Sequence, residues 1–226
     1  MEPPVEIETG PVPAASIVWM HGLGADGHDF EGLVPELRLP AHFAVRFVFP
    51  HAPFRPVTLN AGYVMRAWYD ISMGEQGLVQ NTDHIGESEK TVTELIRREN
   101  ARGIPASRIV LGGFSQGGVI ALTAGLCHPE PLAGILALSA PLAGAAGLAE
   151  RVHPANATTP IFLAHGRQDP LVPFALGQRV HRTLLARGLP VEWHEYPMPH
   201  SVCLEELRDM SAWLSRVLAV PQPASC

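Results

Sequence analysis

Ser115 lies in the segment "LGGFSQGG", between two apolar runs of the chain. Gly113 and Gly117 stand two residues before and two residues after it, which matches the pattern G-x-S-x-G. Glycines at these positions relieve the crowding of a sharp strand-to-helix turn, so that the serine projects from the turn as a candidate nucleophile. The alternative is a glycine-rich turn with an incidental serine. The strand pattern before the segment and the helical pattern after it favour the nucleophile.

A serine hydroxyl is a weak nucleophile at neutral pH, so the chain must supply a base and an acid that orients the base. In serine enzymes built on such a turn, the acid and then the histidine follow the serine along the chain. Asp169 follows a strand pattern and precedes Pro170, which biases it away from helical backbone. His200 lies between the last strand pattern and the last helix pattern. Asp169 and His200 are the candidate acid and base; the alternatives are an Asp-Pro turn and a polar loop or cap residue.

Other histidines and acids suit these two roles less well, because they precede the serine, lie inside an element or lack a strand-end setting. They are expected to be structural, loop or surface residues: His21, His128, His153, His165, His181 and His194 among the histidines, and Glu150, Glu192 and Glu195 among the acids. His165 in particular is expected to bond nearby backbone groups.

Acyl transfer also requires two donors for the oxyanion of the tetrahedral intermediate. The backbone N–H of Gln116, the residue after the candidate nucleophile, is expected to be one of them. The other is expected at the backbone N–H of Leu23 in the loop "HGLG", because Gly22 and Gly24 would let a substrate carbonyl approach the backbone. The alternative for Leu23 is that its side chain lines an acyl site.

All of these motifs follow apolar strand patterns, and those patterns alternate with helical ones. The helical patterns span roughly 30–39, 83–101, 115–127, 173–188 and 201–218. Continuous apolar strands between helices predict a mainly parallel sheet with helices on both faces, and ligands in such folds bind beyond the carboxyl ends of the strands. The segment from Pro50 to Asp83 has little periodicity and is expected to be a long functional loop.

The composition excludes several classes of protein. The chain has 226 residues and a formal net charge of -6, without a basic patch, which argues against a nucleic-acid partner. Its apolar stretches are broken by Gly and Pro, so stable membrane insertion is not expected. The three cysteines lack metal-type spacing and favour a reducing cytoplasm. We expect a loose leader over 1–15, one domain over 16–219 and a short tail over 220–226.

The motifs taken together resemble the small serine carboxylesterases and acyl-protein thioesterases of the α/β-hydrolase superfamily. The segments that carry the resemblance are, in chain order, "HGLGADGHDF", "RFVFPHAP", "RAWYD", "GFSQGG", "HGRQDPLVP" and "YPMPHS". The resemblance implies an α/β-hydrolase fold without a large cap. It also implies a triad of Ser115, Asp169 and His200, and oxyanion donors at Leu23 and Gln116. No cofactor or metal is implied, and a homodimer is permitted.

The substrate is expected to be a short- to medium-chain carboxylic ester. The alternatives are acyl-protein thioesterase or lysophospholipase activity and, in a different class, a non-catalytic fold that only binds ligands. Residues 71–82 could act as a lid or acyl-facing loop. The expected substrate-binding residues, for which core packing is the alternative, are Trp68, Ile71, Met73, Leu78 and Leu171. Two residues depart from the family pattern, because Ala61 and Pro199 stand where glycine is common.

Overall fold

A computed structural model describes residues 2–40, 43–75, 77–142 and 144–219. Its centre is a seven-stranded sheet in which β1 is antiparallel to β3 and the other neighbouring strands are parallel. In spatial order the strands are β1 (Val5–Glu8), β3 (Val45–Phe49), β2 (Ala15–Met20), β8 (Ile109–Phe114), β9 (Gly134–Leu138), β10 (Ile161–Gly166) and β11 (Val191–Tyr196). The expectation of a mainly parallel sheet is therefore confirmed.

The central strands are buried along their whole length, which explains their continuous apolar runs. Every residue of β2, β3, β9 and β10 is buried. A strand covered on both faces has no solvent side on which to place polar residues, so it does not alternate. This burial fixes the carboxyl ends of the strands, where the chemical motifs follow.

Helices cover both faces of the sheet. The six α-helices of the described residues are α1 (Leu33–Glu36), α2 (Thr82–Ala101), α3 (Gln116–Cys127), α4 (Ala145–Glu150), α5 (Phe174–Ala186) and α6 (Leu204–Val217). Buried side chains of α2 to α5 belong to one apolar core, and those of α1 and α6 belong to the other. The first helix is much shorter in the structure than the predicted range 30–39. The bounds of the other four predicted helices agree with the structure within a few residues. None of the helices in the described ranges combines the length and the apolar character needed to cross a membrane.

The N-terminal segment differs from the loose leader that the sequence predicts. Residues 5–8 form β1, whose backbone pairs with β3, and Ala15 already belongs to β2. The Thr9 and Ala14 N–H groups donate to the Val45 and Ala44 carbonyls at 3.0 and 2.8 Å. The acidic, Pro-rich composition concealed this edge strand because it has only four residues. The predicted tail over 220–226 lies outside the described residues.

Two β-hairpins occupy the segment that was expected to be a long loop. β4 (Phe54–Val57) pairs with β5 (Tyr63–Arg66), and β6 (Ile71–Gly74) pairs with β7 (Gly77–Gln80). Thr58 joins them, because its N–H and hydroxyl each donate to the Asp70 carboxylate at 2.7 Å. Within the described part of this segment ahead of α2, the two hairpins and a short 3-10 turn at Thr58–Asn60 are the regular elements.

Candidate active site

Ser115 stands at the turn between β8 and α3 with a strained backbone. Its φ of 55° and ψ of -116° lie in a region that residues with a side chain seldom occupy. Its N–H donates to the Leu138 carbonyl of the adjacent strand at 2.8 Å, which holds the turn against β9. Strain of this kind persists only where the surrounding structure imposes it, and it directs the side chain out of the sheet edge.

The two glycines of G-x-S-x-G are required by the closeness of the chain around this turn. A Cβ on Gly117 would overlap the Met20 carbonyl at the end of β2 and would come within 2.7 Å of the His21 carbonyl oxygen. A Cβ on Gly113 would overlap the backbone of Gly117. The glycines therefore allow α3 to begin directly against two strands, which agrees with the reason given for them from the sequence.

Asp169 and His200 are in direct contact. His200 Nδ1 lies 2.6 Å from Asp169 Oδ2, and the other carboxylate oxygen accepts the N–H groups of Leu171 and Val172 at 2.9 and 2.8 Å. The Asp169 side chain is fully buried. Because a carboxylate oxygen accepts, Nδ1 of His200 carries the proton and Nε2 is left as the basic nitrogen.

The loop that carries His200 packs against the strand end that carries Ser115. The His200 ring lies over the Phe114 ring, with 4.6 Å between the ring centres, and Phe114 immediately precedes Ser115. Pro199 fits into this loop, and its carbonyl accepts the Ser201 N–H at 2.9 Å. The same carbonyl lies so close to Gly166 that a side chain at position 166 would overlap it. The structure thus brings all three candidate triad residues to one edge of the sheet.

The loop "HGLG" lies beside Ser115 and is fixed at both ends. A Cβ on Gly22 would stand 3.6 Å from Ser115 Cβ, and the Gly24 N–H donates to the Arg66 carbonyl at 2.9 Å. The half-buried Leu23 lies between these two glycines. The backbone of Leu23 is therefore held next to the turn that precedes α3. The Gln116 N–H belongs to the first turn of α3 and so has no partner within the helix.

His21 anchors this loop as a neutral side chain. Its Nε2 accepts the Ala52 N–H at 3.0 Å, so its Nδ1 carries the proton and donates to the Gly22 carbonyl at 2.7 Å. Burial lowers the pKa of His21 to about 4, which keeps the imidazole uncharged at neutral pH. These contacts agree with a structural role for His21.

The model of the phospholipase/carboxylesterase family matches residues 4–218 of this chain. The chain belongs to this family. The acyl-protein thioesterase 1 of Mycosarcoma maydis is 40% identical over 229 residues, which cover 93% of this chain and 94% of that protein. The structure is similar to Zea mays acyl-protein thioesterase 2, with a TM-score of 0.84, 29% identity and coverage of 96% and 99% of the two chains. Arabidopsis thaliana SOBER1 gives a TM-score of 0.84 at 30% identity and covers 91% of this chain and 99% of its own.

Membership in the phospholipase/carboxylesterase family confirms two expectations from the sequence. The fold is an α/β-hydrolase fold. The chain is a serine hydrolase that acts on ester-type bonds, which excludes the interpretation as a fold that only binds ligands.

The expected substrate-binding residues occupy three different environments. Trp68 is fully buried, which favours the alternative of core packing for this residue. Ile71 and Leu78 are half-buried on the β6–β7 hairpin. Met73 and Leu171 are 65% and 73% exposed, as residues that meet an acyl chain at a surface would be. The predictions for these four residues stay open.

The contacts of Trp68 explain why it is buried, and they involve the side chain of Gln116, to which no sequence pattern assigned a role. The Gln116 side chain accepts the Trp68 N–H at 3.0 Å and donates to the Tyr69 carbonyl at 2.8 Å. The Trp68 indole N–H donates to the His21 carbonyl at 2.9 Å. The segment 68–69 therefore connects the two elements that carry the candidate oxyanion donors, an arrangement that no local sequence pattern encodes.

Proposed function

We propose that this enzyme hydrolyses the thioester bond of S-acylated proteins. The observation that carries the proposal is the 40% identity, over nearly the full length of both chains, to a protein named acyl-protein thioesterase 1. Relatives with the same name from Neurospora crassa and other fungi have 36–40% identity. The preference for short- to medium-chain carboxylic esters drawn from the sequence thus becomes the second candidate, supported by the description of the family.

In the proposed reaction, Ser115 Oγ attacks the thioester carbonyl while His200 Nε2 takes its proton. Asp169 holds the imidazole by the 2.6 Å contact with Nδ1 and stabilises the imidazolium. The backbone N–H groups of Leu23 and Gln116 stabilise the oxyanion. The carbon–sulfur bond then breaks, and the proton on His200 passes to the departing sulfur. Water, deprotonated by His200, attacks the acyl-enzyme and releases the fatty acid. Every group in these steps belongs to the chain, so no cofactor is required.

The chemistry of a thioester suits a site of this kind. A cysteine thiol has a pKa near 8.5, whereas a serine or alkyl alcohol is a far weaker acid. A thiolate therefore leaves with less help from the imidazolium than an alkoxide does. A site that carries out ester hydrolysis can act on thioesters with the same residues, which explains how one family includes enzymes of both descriptions.

The deciding experiment compares two peptides that differ in one atom, an S-palmitoyl cysteine peptide and the matched O-palmitoyl serine peptide. We expect kcat/KM for the thioester to exceed that for the ester by about tenfold or more, since the thiolate leaves more readily. Equal or greater turnover of the ester would favour the carboxylesterase candidate. Ser115→Ala should lower kcat on both peptides by about 10⁴–10⁶-fold. Ser215→Ala, at the far end of α6, serves as its matched control.

A fluorophosphonate provides an independent check of the nucleophile. It should label the wild-type enzyme and the Ser215→Ala variant and leave Ser115→Ala unlabelled, because only an activated serine reacts. Labelling of Ser115→Ala would overturn the assignment of the nucleophile. A cytoplasmic location, supported by the two free thiols of Cys127 and Cys203, and a homodimer remain parts of the proposal that fractionation and sedimentation would test.

A further inference from the structure

His165 is a second histidine against the carboxylate of the candidate triad, and the proposed reaction does not use it. It is the penultimate residue of β10 and is 1% exposed. Its Nε2 lies 3.6 Å from Asp169 Oδ2, the same oxygen that His200 contacts. Two imidazoles therefore approach the same oxygen of the Asp169 carboxylate.

The contacts of His165 determine which nitrogen carries its proton. Nε2 lies 2.8 Å from the Val172 carbonyl oxygen, which can only accept, so Nε2 is the protonated nitrogen. The positive end of this N–H dipole therefore lies next to Asp169 Oδ2. Burial lowers the pKa of His165, which favours the neutral imidazole. The titratable groups around His165 include Asp169, His200 and Glu195. Glu195 is exposed and lies opposite His165 in the pairing of β10 with β11.

The position of His165 is fixed by the elements around it. A side chain on Gly177 of α5 would overlap the imidazole, so the glycine makes room for the ring. The edge of the ring also meets Phe174, with 6.0 Å between the ring centres. Val172, which accepts from His165, in turn donates its N–H to Asp169 Oδ1. His165 thus holds the turn formed by residues 169–172 in place from its position on β10.

We propose that His165 is a positioning residue, which holds the Asp169 turn through Val172 and thereby keeps the Asp169 carboxylate against His200 Nδ1. The proposal rests on the proposed function, since it concerns the same triad. If the Nε2–H group were removed, the turn would lose an anchor. The carboxylate would then no longer be held at its 2.6 Å contact with His200.

Two amide variants separate this role from ordinary packing. In His165→Gln the side-chain nitrogen reaches about as far as Nε2, whereas in His165→Asn it is one methylene shorter and cannot reach Val172. We expect His165→Asn to lower kcat by about tenfold to a hundredfold, as displaced catalytic groups do. We also expect KM to change little, because the buried His165 acts through Asp169 and does not meet the substrate. His165→Gln should recover most of the lost kcat.

The outcomes are distinguishable. A lower melting temperature in His165→Asn with an unchanged kcat would overturn the proposal and leave His165 as a packing residue. If neither variant folds, ¹⁵N chemical shifts of the wild-type histidines decide, because the proposal requires a neutral Nε2–H tautomer for His165 from pH 6 to pH 9. An Nδ1–H tautomer there would overturn it. Absence of Ser115-dependent turnover in the wild-type enzyme would instead contradict the proposed function and leave the tautomer result unaffected.

Discussion

The carboxyl edge of the sheet is buried and tightly fixed, whereas the two hairpins attached to it are exposed. Asp169 is fully buried in its side chain, and Ser115 is 9% exposed. On the hairpins, Phe54, Tyr63 and Met73 are 66%, 70% and 65% exposed. The two regions meet at residues 66–69: Arg66, the last residue of β5, bonds to the loop "HGLG", and the following Trp68 and Tyr69 bond to the Gln116 side chain.

This difference indicates a division of roles. Groups that stabilise charge in a transition state must be preorganised, and burial with many fixed neighbours achieves this. Surfaces that bind substrates of varying length need exposed apolar area, and they tolerate substitution of their residues. We therefore expect substitutions at the edge to alter folding and kcat, and substitutions on the hairpins to alter the choice of substrate.

The largest effect should come from Gly117→Ala, which tests how closely the edge is packed. The new methyl group would overlap the Met20 carbonyl, a backbone atom that cannot move without displacing β2. We expect the free energy of unfolding to fall by about 3 kcal/mol or more and turnover to be lost. Urea unfolding followed by circular dichroism measures the change. Gly86→Ala in α2 is the matched control, since nothing apart from the neighbouring residues and backbone of its own helix lies within 4 Å of its Cβ position, and it should stabilise the enzyme by about 0.5–1 kcal/mol.

The next effect concerns Glu206, a buried acid in the first turn of α6, shortly after His200. No donor among the described residues meets its carboxyl oxygens in good hydrogen-bond geometry, and the nearby Cys203 backbone N–H offsets only part of the effect of burial. Burial, with a contribution from the charge of Asp209, raises the pKa of Glu206 to about 8. Between pH 4.5 and pH 8 the folded enzyme therefore holds a proton that the unfolded chain has lost. The contribution of this group to stability is complete below pH 4.5 and is lost as the pH rises through 8.

Glu206→Gln removes this titration without changing the volume of the side chain much. We expect the variant to match the wild-type enzyme near pH 4.5 and to be more stable at pH 8 by about 3 kcal/mol, measured as the free energy of unfolding in urea. Glu205→Gln, on the exposed side of the same turn, should leave the difference between the two pH values unchanged. A Glu206→Gln variant with the same pH dependence as the wild-type enzyme would show that another group causes it.

A smaller effect is expected where the two regions meet. Trp68→Phe keeps an aromatic ring and removes the indole N–H, so the buried His21 carbonyl loses its donor. An unpaired buried acceptor costs about 1–3 kcal/mol of stability. Because His21 begins the loop that carries the Leu23 N–H, kcat should fall by about tenfold, with little change in KM. Steady-state kinetics on the S-palmitoyl peptide checks this, and Trp193→Phe on β11 is a matched control. A change confined to KM would contradict a link to the oxyanion donors.

The candidate triad could be predicted from the sequence because each of its members follows a strand of the parallel part of the sheet, buried in β8 and β10 and only partly buried in β11. Strand ends of a parallel sheet share one edge, so Ser115, Asp169 and His200 had to come near each other once the strands were identified. The hairpins could not be predicted in the same way. Their strands have only four residues each, and β5 carries exposed apolar residues, so neither alternation nor a long apolar run marked them.

Two further features depended on tertiary structure alone. Whether Trp68 faces substrate or core is decided by a side chain 48 residues away, since Gln116 binds its backbone. The second contact of Asp169, with His165, likewise appears only when β10 and the following turn are folded together. In both cases the sequence shows which residue is present, but it does not show which residue contacts it in the fold.

The smallest effect on stability is expected on the hairpins, at Met73. Because this side chain is mostly exposed, Met73→Ser should change the free energy of unfolding by less than about 0.5 kcal/mol. If Met73 contacts the acyl chain, kcat/KM should fall about fivefold for a palmitoyl thioester and stay unchanged for an acetyl thioester, since an acetyl group is too short to bury apolar surface there. Val12→Ser, at a 78% exposed position before β2, is the matched control and should alter neither substrate. An equal loss on both substrates would mean that Met73 supports the catalytic edge, and the division between the two regions would then fail at this residue.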